Sequence, residues 1–250
     1  MQMDGVKKAF FLCGLCLCLV TGVLAEEEAN QDNKWGGDAG MGLALSRGNT
    51  ETTNLSLALS VKGPLSESLS STTSVFFLFS KEKNITNAES LGLESRIDWQ
   101  LSERSFSYVD ILGLRDRFKN YSYRILPSAG VGYKVVTTEK IQLSASAGLS
   151  EVFTKYYDSG ETDSYAGIAL GNQLTWNISE GAEFSQAMVL NSDISDLSHY
   201  FLRFEASLAT AITKGLSVTL TLMDNFDNRP VGQDIKKNDV SFLAGLSAKF

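Results

Sequence analysis

Cysteine is absent from most of this 250-residue chain: Cys13, Cys16 and Cys18 are its only three. Everything after them must therefore be stabilised without a disulfide framework, and no Cys/His metal cluster is available there. Histidine occurs once, as His199, so any histidine-based catalysis would have to use that residue. There are only three prolines, Pro64, Pro127 and Pro230, and two of them fall at turns, where a missing amide is harmless. Beyond the first 25 residues no apolar run reaches the length needed for a membrane-spanning helix. Basic side chains are in the minority, 22 Lys and Arg against 29 Asp and Glu, which argues against a nucleic-acid partner. The sequence contains no GxSxG, HExxH or phosphate-loop pattern.

The cysteines belong to the stretch "MQMDGVKKAFFLCGLCLCLVTGVLAEEEAN". Lys7 and Lys8 precede an apolar run that closes on the small residues Val23 and Ala25, which predicts a secretory signal peptide over residues 1–25. A retained anchor is disfavoured because the run from Ala9 to Ala25 is at the short limit for a span and ends in a cleavage-like site. Lipidation is disfavoured too, because Leu12, Leu15 and Leu17, not small residues, precede the cysteines. Residues 26–34 read as an acidic tail and 35–250 as one domain.

In that domain hydrophobicity alternates with period two, the pattern of strands with unlike faces. Twelve strands are expected, near 35–46, 52–62, 71–80, 88–101, 105–118, 121–136, 141–154, 163–178, 182–191, 199–213, 215–227 and 239–250. Short turns such as "SER", "SEG" and "KG" alternate with longer polar connections such as "YYDSGET" and "NRPVGQDIKKN". This predicts an all-β, transmembrane antiparallel β-barrel with both termini at the periplasmic, short-turn end. Trp35, Trp99, Trp176, Tyr133 and Phe250 are expected outward at that end, and Tyr121, Tyr123, Phe153, Tyr200 and Phe226 outward at the other, forming two aromatic girdles. A soluble sandwich or lipocalin-like barrel leaves this two-level placement unexplained. A closed barrel must pair its last strand with its first, and "VSFLAGLSAKF" is the expected closing strand.

Two strands are ambiguous. In the fifth, Asp110 shares parity with Leu112 and Leu114, so a bulge near Ile111–Leu112 is expected to turn Asp110 away from lipid. In the third, Val75, Phe76, Phe77, Leu78 and Phe79 leave the faces undecided.

Three segments carry a family resemblance: "GLALSRGNTETTNLSLALS", "DRFKNYSYRILPSAGVGYKV" and "NRPVGQDIKKNDVSFLAGLSAKF". With Gly48-Asn49-Thr50 in the first hairpin, Arg124 ahead of Gly130-Val131-Gly132-Tyr133, and Pro230 ahead of Asp239, residues 34–250 resemble the salt-induced outer membrane proteins, YdiY-like, defined by domain of unknown function 481. The resemblance implies an outer-membrane location and supplies no catalytic residues. The terminal Phe250 also resembles the signal by which bacterial barrel-assembly machinery recognises its substrates.

The candidate site is the inner wall. Alternation directs Glu94, Arg96, Asp98, Arg115, Arg117, Arg124 and Lys134 inward from strands four to six, and Glu183, Arg203 and Glu205 from strands nine and ten. The first group is predominantly basic. One reading is a narrow, anion-favouring pore for small solutes. The alternative is a salt-bridged, occluded lumen in a structural or surface-interaction barrel. A third, a lipid-modifying enzyme, is disfavoured because Ser198 and His199 are adjacent and would point to opposite faces of a strand. The acidic stretch from Met223 to Asp234 reads as solvated loop charge, since its spacing is not that of an EF-hand. No catalytic residues, metal ligands or cofactors are expected. The expected partners are outer-membrane lipid and lipopolysaccharide, and the assembly machinery through the last strand.

Overall fold

A computed structural model describes residues 35–46, 52–82, 85–231 and 235–250. The expected signal peptide and acidic tail lie outside the described residues, as does the Gly48-Asn49 turn. Twelve strands follow one another: β1 Gly36–Ser46, β2 Thr52–Pro64, β3 Leu69–Glu82, β4 Ile85–Gln100, β5 Ser105–Asp116, β6 Tyr121–Thr137, β7 Ile141–Tyr156, β8 Thr162–Ser179, β9 Ala182–Asp193, β10 Tyr200–Thr213, β11 Leu216–Asp227 and β12 Asn238–Lys249. Each pairs antiparallel with its sequence neighbours, and β1 pairs with β12, so the sheet is a closed barrel. Closure gives each edge strand a partner, which a sheet surrounded by lipid requires.

The closing seam shows why a glycine and the terminal phenylalanine face each other. β1 and β12 are in register from Asp38↔Lys249 to Met41↔Leu246. Just beyond, Gly37 N–H donates to the Phe250 carbonyl at 2.8 Å and Phe250 N–H donates back at 3.0 Å. The Phe250 ring lies against Gly37, where a β-carbon would come within 2.7 Å of it. Only glycine admits the ring there.

Apolar side chains cover the outside of the barrel. Leu43, Leu149 and Phe242 are 60, 65 and 67% exposed, values that suit a surface solvated by hydrocarbon and not a soluble protein's core face. Trp35, Trp99, Trp176 and Tyr133 are exposed toward the rim that carries both termini (the terminal rim). Toward the opposite, loop rim, Tyr123 and Phe153 are exposed and Tyr200 stacks on Phe226 at 5.6 Å. The outer face carries some polar groups. Asn172 and Gln186 share it and hydrogen-bond each other at 3.3 Å. Asp224 lies on the same face as its ladder partners Phe204 and Val240.

The strand registers correct two expectations and decide one question that the alternation left open. Tyr121 is not in the outer girdle; it is only 2% exposed and points into the barrel. The β6–β7 register shifts between Tyr121 and Tyr123, and that bulge reverses the side chain's parity. In β5 no bulge occurs near Ile111–Leu112. Pairing with β4 is unbroken from Gln100↔Phe106 to Ser90↔Asp116, so Asp110, Leu112 and Leu114 all face inward while Val109 and Ile111 face out. In β3, pairing with the outward Leu57 and Leu59 sets Phe77 and Val75 outward, so Phe76 and Leu78 point into the lumen.

Candidate functional site: the barrel lumen

The inward faces enclose a cavity of about 700 Å³. Its wall runs from Asp38 and Lys62 near the terminal rim to Lys119 and Asp239 near the loop rim. A second hollow, of about 560 Å³, lies at the terminal rim and shares Asp38, Ser60, Lys62 and Asp98 with the first. Phe76 projects into the cavity across Gly92, where a β-carbon would collide with its ring.

Charged bridges cross the barrel at two depths. Toward the loop rim, Arg124 on β6 reaches Asp227 on β11, five strands round a ring of twelve. Their N–O distance is 3.2 Å and their side chains are 3 and 8% exposed. Arg124 Nε donates to Thr154 Oγ1 at 2.9 Å, and the Tyr121 hydroxyl donates to the same Asp227 oxygen at 2.6 Å. The guanidinium also lies 3.9 Å from the Tyr121 ring centroid and 5.6 Å from that of Phe201. A buried charge survives only when it is paired and hydrogen-bonded in this way. Nearer mid-depth, Arg203 on β10 faces Glu94 on β4, directly opposite, with Glu205 beside it; both N–O distances are 3.7 Å. Arg203 also lies 5.1 Å from the Phe76 ring centroid.

The predicted inner-wall residues separate into groups. Glu94, Arg203 and Glu205 meet in the mid-lumen bridge. Arg96 and Asp98 pair along β4 at 2.9 Å, with Arg96 stacked 4.0 Å over Tyr108. Arg124 is in the other bridge. Lys134 donates to Gln100 at 2.6 Å, and Glu183 faces Lys249 at 3.4 Å, both near the terminal rim.

Arg115 and Arg117 do not line the lumen. Arg115 is paired with the outward Leu91 and is exposed on the outer face, donating to the Tyr157 hydroxyl at 2.7 Å. Arg117 sits in the exposed β5–β6 turn. The cause is the β5 register: once Asp110 is inward, Arg115, at odd spacing from it, must be outward.

This alters the charge of the wall. The cavity is bordered by Lys62, Arg96, Lys119 and Arg203, against Asp38, Glu94, Asp98, Asp110, Asp116, Glu205 and Asp239. The inner surface is therefore acidic on balance, not basic.

The sequence reading missed Asp227 and Tyr121. It placed the charge of the Met223–Asp234 stretch in solvent, yet Asp227 ends β11 on the inward face. Alternation from Thr219, Thr221, Met223 and Asn225 carries the signal that would have found it.

The loop rim is tied together by Asn120, which is 4% exposed and adopts φ 64°. Its Oδ1 accepts from the amides of Tyr157 and Asp158, and its Nδ2 donates to the Val231 carbonyl at 3.2 Å. Lys119 adds an ion pair to Asp239 at 3.1 Å. These contacts join three connections that are far apart in sequence.

His199 stands 3.8 Å from Asp193, and its ring packs at a tilt against Tyr165. The Ser198 hydroxyl donates to Asp196 and that of Ser195 to Asp193, each at 2.6 Å. Both hydroxyls thus donate to carboxylates and not to the imidazole, which is not a nucleophile–base arrangement. Among the described residues no group of three or more His, Cys, Asp or Glu is placed to hold a metal ion.

The chain's architecture is similar to that of the NanC porin, with a TM-score of 0.51 at 13% identity over 87% of this chain and 100% of that one. It is also similar to the translocator domain of the autotransporter NalP from Neisseria meningitidis, with a TM-score of 0.50 at 13% identity over 99% and 98%. At such identity the likeness concerns the fold. No curated protein matches the sequence. Residues 39–250 match the family described as "Protein of unknown function, DUF481", and the chain belongs to that family.

Proposed function

We propose that the protein is a narrow pore for small solutes in the bacterial outer membrane, internally braced and acidic on balance along its path. The observation that carries this reading is the cavity of about 700 Å³, whose charged wall continues from Lys119 and Asp239 to Asp38 and Lys62 and there adjoins the hollow at the terminal rim. Charged side chains border this cavity from rim to rim, with apolar ones among them, which is more charge than the bridges that brace the barrel need. The Arg124–Asp227 bridge fits the pore reading as a strut that narrows the lumen at that level. Carboxylates in excess over bases favour cations within the path.

The apolar exterior and its aromatic bands support residence in lipid, with lipopolysaccharide around the loop rim. Export through residues 1–25 and insertion through the β12 strand, with Phe250 as the assembly signal, belong to the same proposal. Planar-bilayer recording of the refolded residues 26–250 tests it. Discrete, weakly cation-selective conductance is expected; a folded barrel that seals the bilayer would overturn the pore and leave the structural barrel standing.

A further inference from the structure

The lumen wall is not the wall of a simple water-filled channel. Phe76, Leu112, Leu126, Val189, Met223 and Leu243 come from six different strands, and all line the same cavity. Inward positions of an aqueous barrel are ordinarily polar, and an apolar constriction expels water and discourages bare ions. A solute crossing such a belt without a large dehydration cost brings apolar surface of its own.

Charge specifies the rest of the solute. Arg203 stands between Glu94 and Glu205 at 3.7 Å from each, one guanidinium facing two carboxylates. Asp110, on the same cavity, accepts a hydrogen bond from the neutral Ser128 hydroxyl. The belt therefore lies among carboxylates that exceed the bases available to them. An organic anion of the same size would meet that excess as repulsion. A cation would find a field of the right sign, beside apolar side chains that an aromatic or aliphatic body could cover.

From this juxtaposition we propose that the lumen binds small amphipathic organic cations: an ammonium or similar group joined to an aromatic or aliphatic body. This rests on the pore reading for its physiological meaning, but binding can be measured without conductance.

The test uses the refolded barrel in lipid nanodiscs, titrated calorimetrically with benzyltrimethylammonium, tetramethylammonium and benzenesulfonate. These probes separate apolar body from charge. Benzyltrimethylammonium is expected to bind at least about tenfold more tightly than either of the others. Leu243→Ser should weaken the benzyl probe and leave tetramethylammonium unchanged. Glu94→Gln combined with Glu205→Gln should weaken both cations by about tenfold or more. Should a variant fail to fold, the ranking of the three probes on the unaltered protein still decides the matter. Equal binding of all three, or tighter binding of benzenesulfonate, overturns the proposal. Cation binding without conductance refutes the pore but not the site; conductance without this ranking refutes the site but not the pore.

Discussion

Replacing Asp227 by asparagine removes the charge that balances Arg124 and changes little else. The Arg124 guanidinium is 3% exposed, so water cannot take over from the lost carboxylate. Removing one member of a buried ion pair costs about 3–5 kcal/mol. The asparagine oxygen can still accept from the Tyr121 hydroxyl, so that hydrogen bond adds little to the loss. Arg124→Met combined with Asp227→Leu removes both charges together. Because the desolvation penalty of each then disappears, the double variant should lie within about 1–2 kcal/mol of the unaltered protein or above it. The assay is urea-induced unfolding in lipid vesicles, followed through tryptophan fluorescence, with the three proteins compared. The same proteins in planar bilayers give a second reading: deleting the strut should raise single-channel conductance. If Asp227→Asn loses less than about 1 kcal/mol, or if the double variant is as unstable as the single, the bridge is not the buried, mutually dependent pair described above.

Other consequences are open to simpler measurements. Gly37→Val should prevent closure, because its side chain would occupy the place of the Phe250 ring; the folded form, detected by heat-modifiable gel migration, should be lost, and deleting Phe250 should reduce membrane assembly in cells. Asn120→Ala removes an acceptor for two amides and a donor to Val231 at a positive φ, so it should cost about 2–3 kcal/mol in the same unfolding assay. Glu94→Lys should move the reversal potential toward anions, since it reverses a charge facing Arg203. Hydrogen bonds from Ser198 chiefly, aided by Arg229, hold the Asp196 carboxyl below the usual carboxylate range. The contribution of this loop contact is present above that range and is lost as pH falls through the lowered value, which an NMR titration of the loop would show.

The alternation along each strand made the architecture legible. A residue's face depends on its neighbours two positions away, and that information is local. The twelve strands, the closing role of β12 and the outward Trp35, Trp99 and Trp176 follow from it. The inner wall was less legible, for two reasons. The reading assumed that inward means polar, and β5 breaks that assumption by turning Leu112 and Leu114 into the lumen with Asp110. Arg115 was consequently assigned to the wrong face.

The partners of the inward charges were also out of reach. Arg124 and Asp227 are 103 residues apart, and nothing local indicates that strands six and eleven stand on opposite walls close enough to touch. The sequence by itself determined that the chain forms strands with one apolar face, because side-chain parity on an extended backbone is set residue by residue. Only the closed barrel decided which charges meet. Closure brings distant strands across a narrow, weakly solvated space, where each buried ion must find its counter-charge or lose its hydration uncompensated.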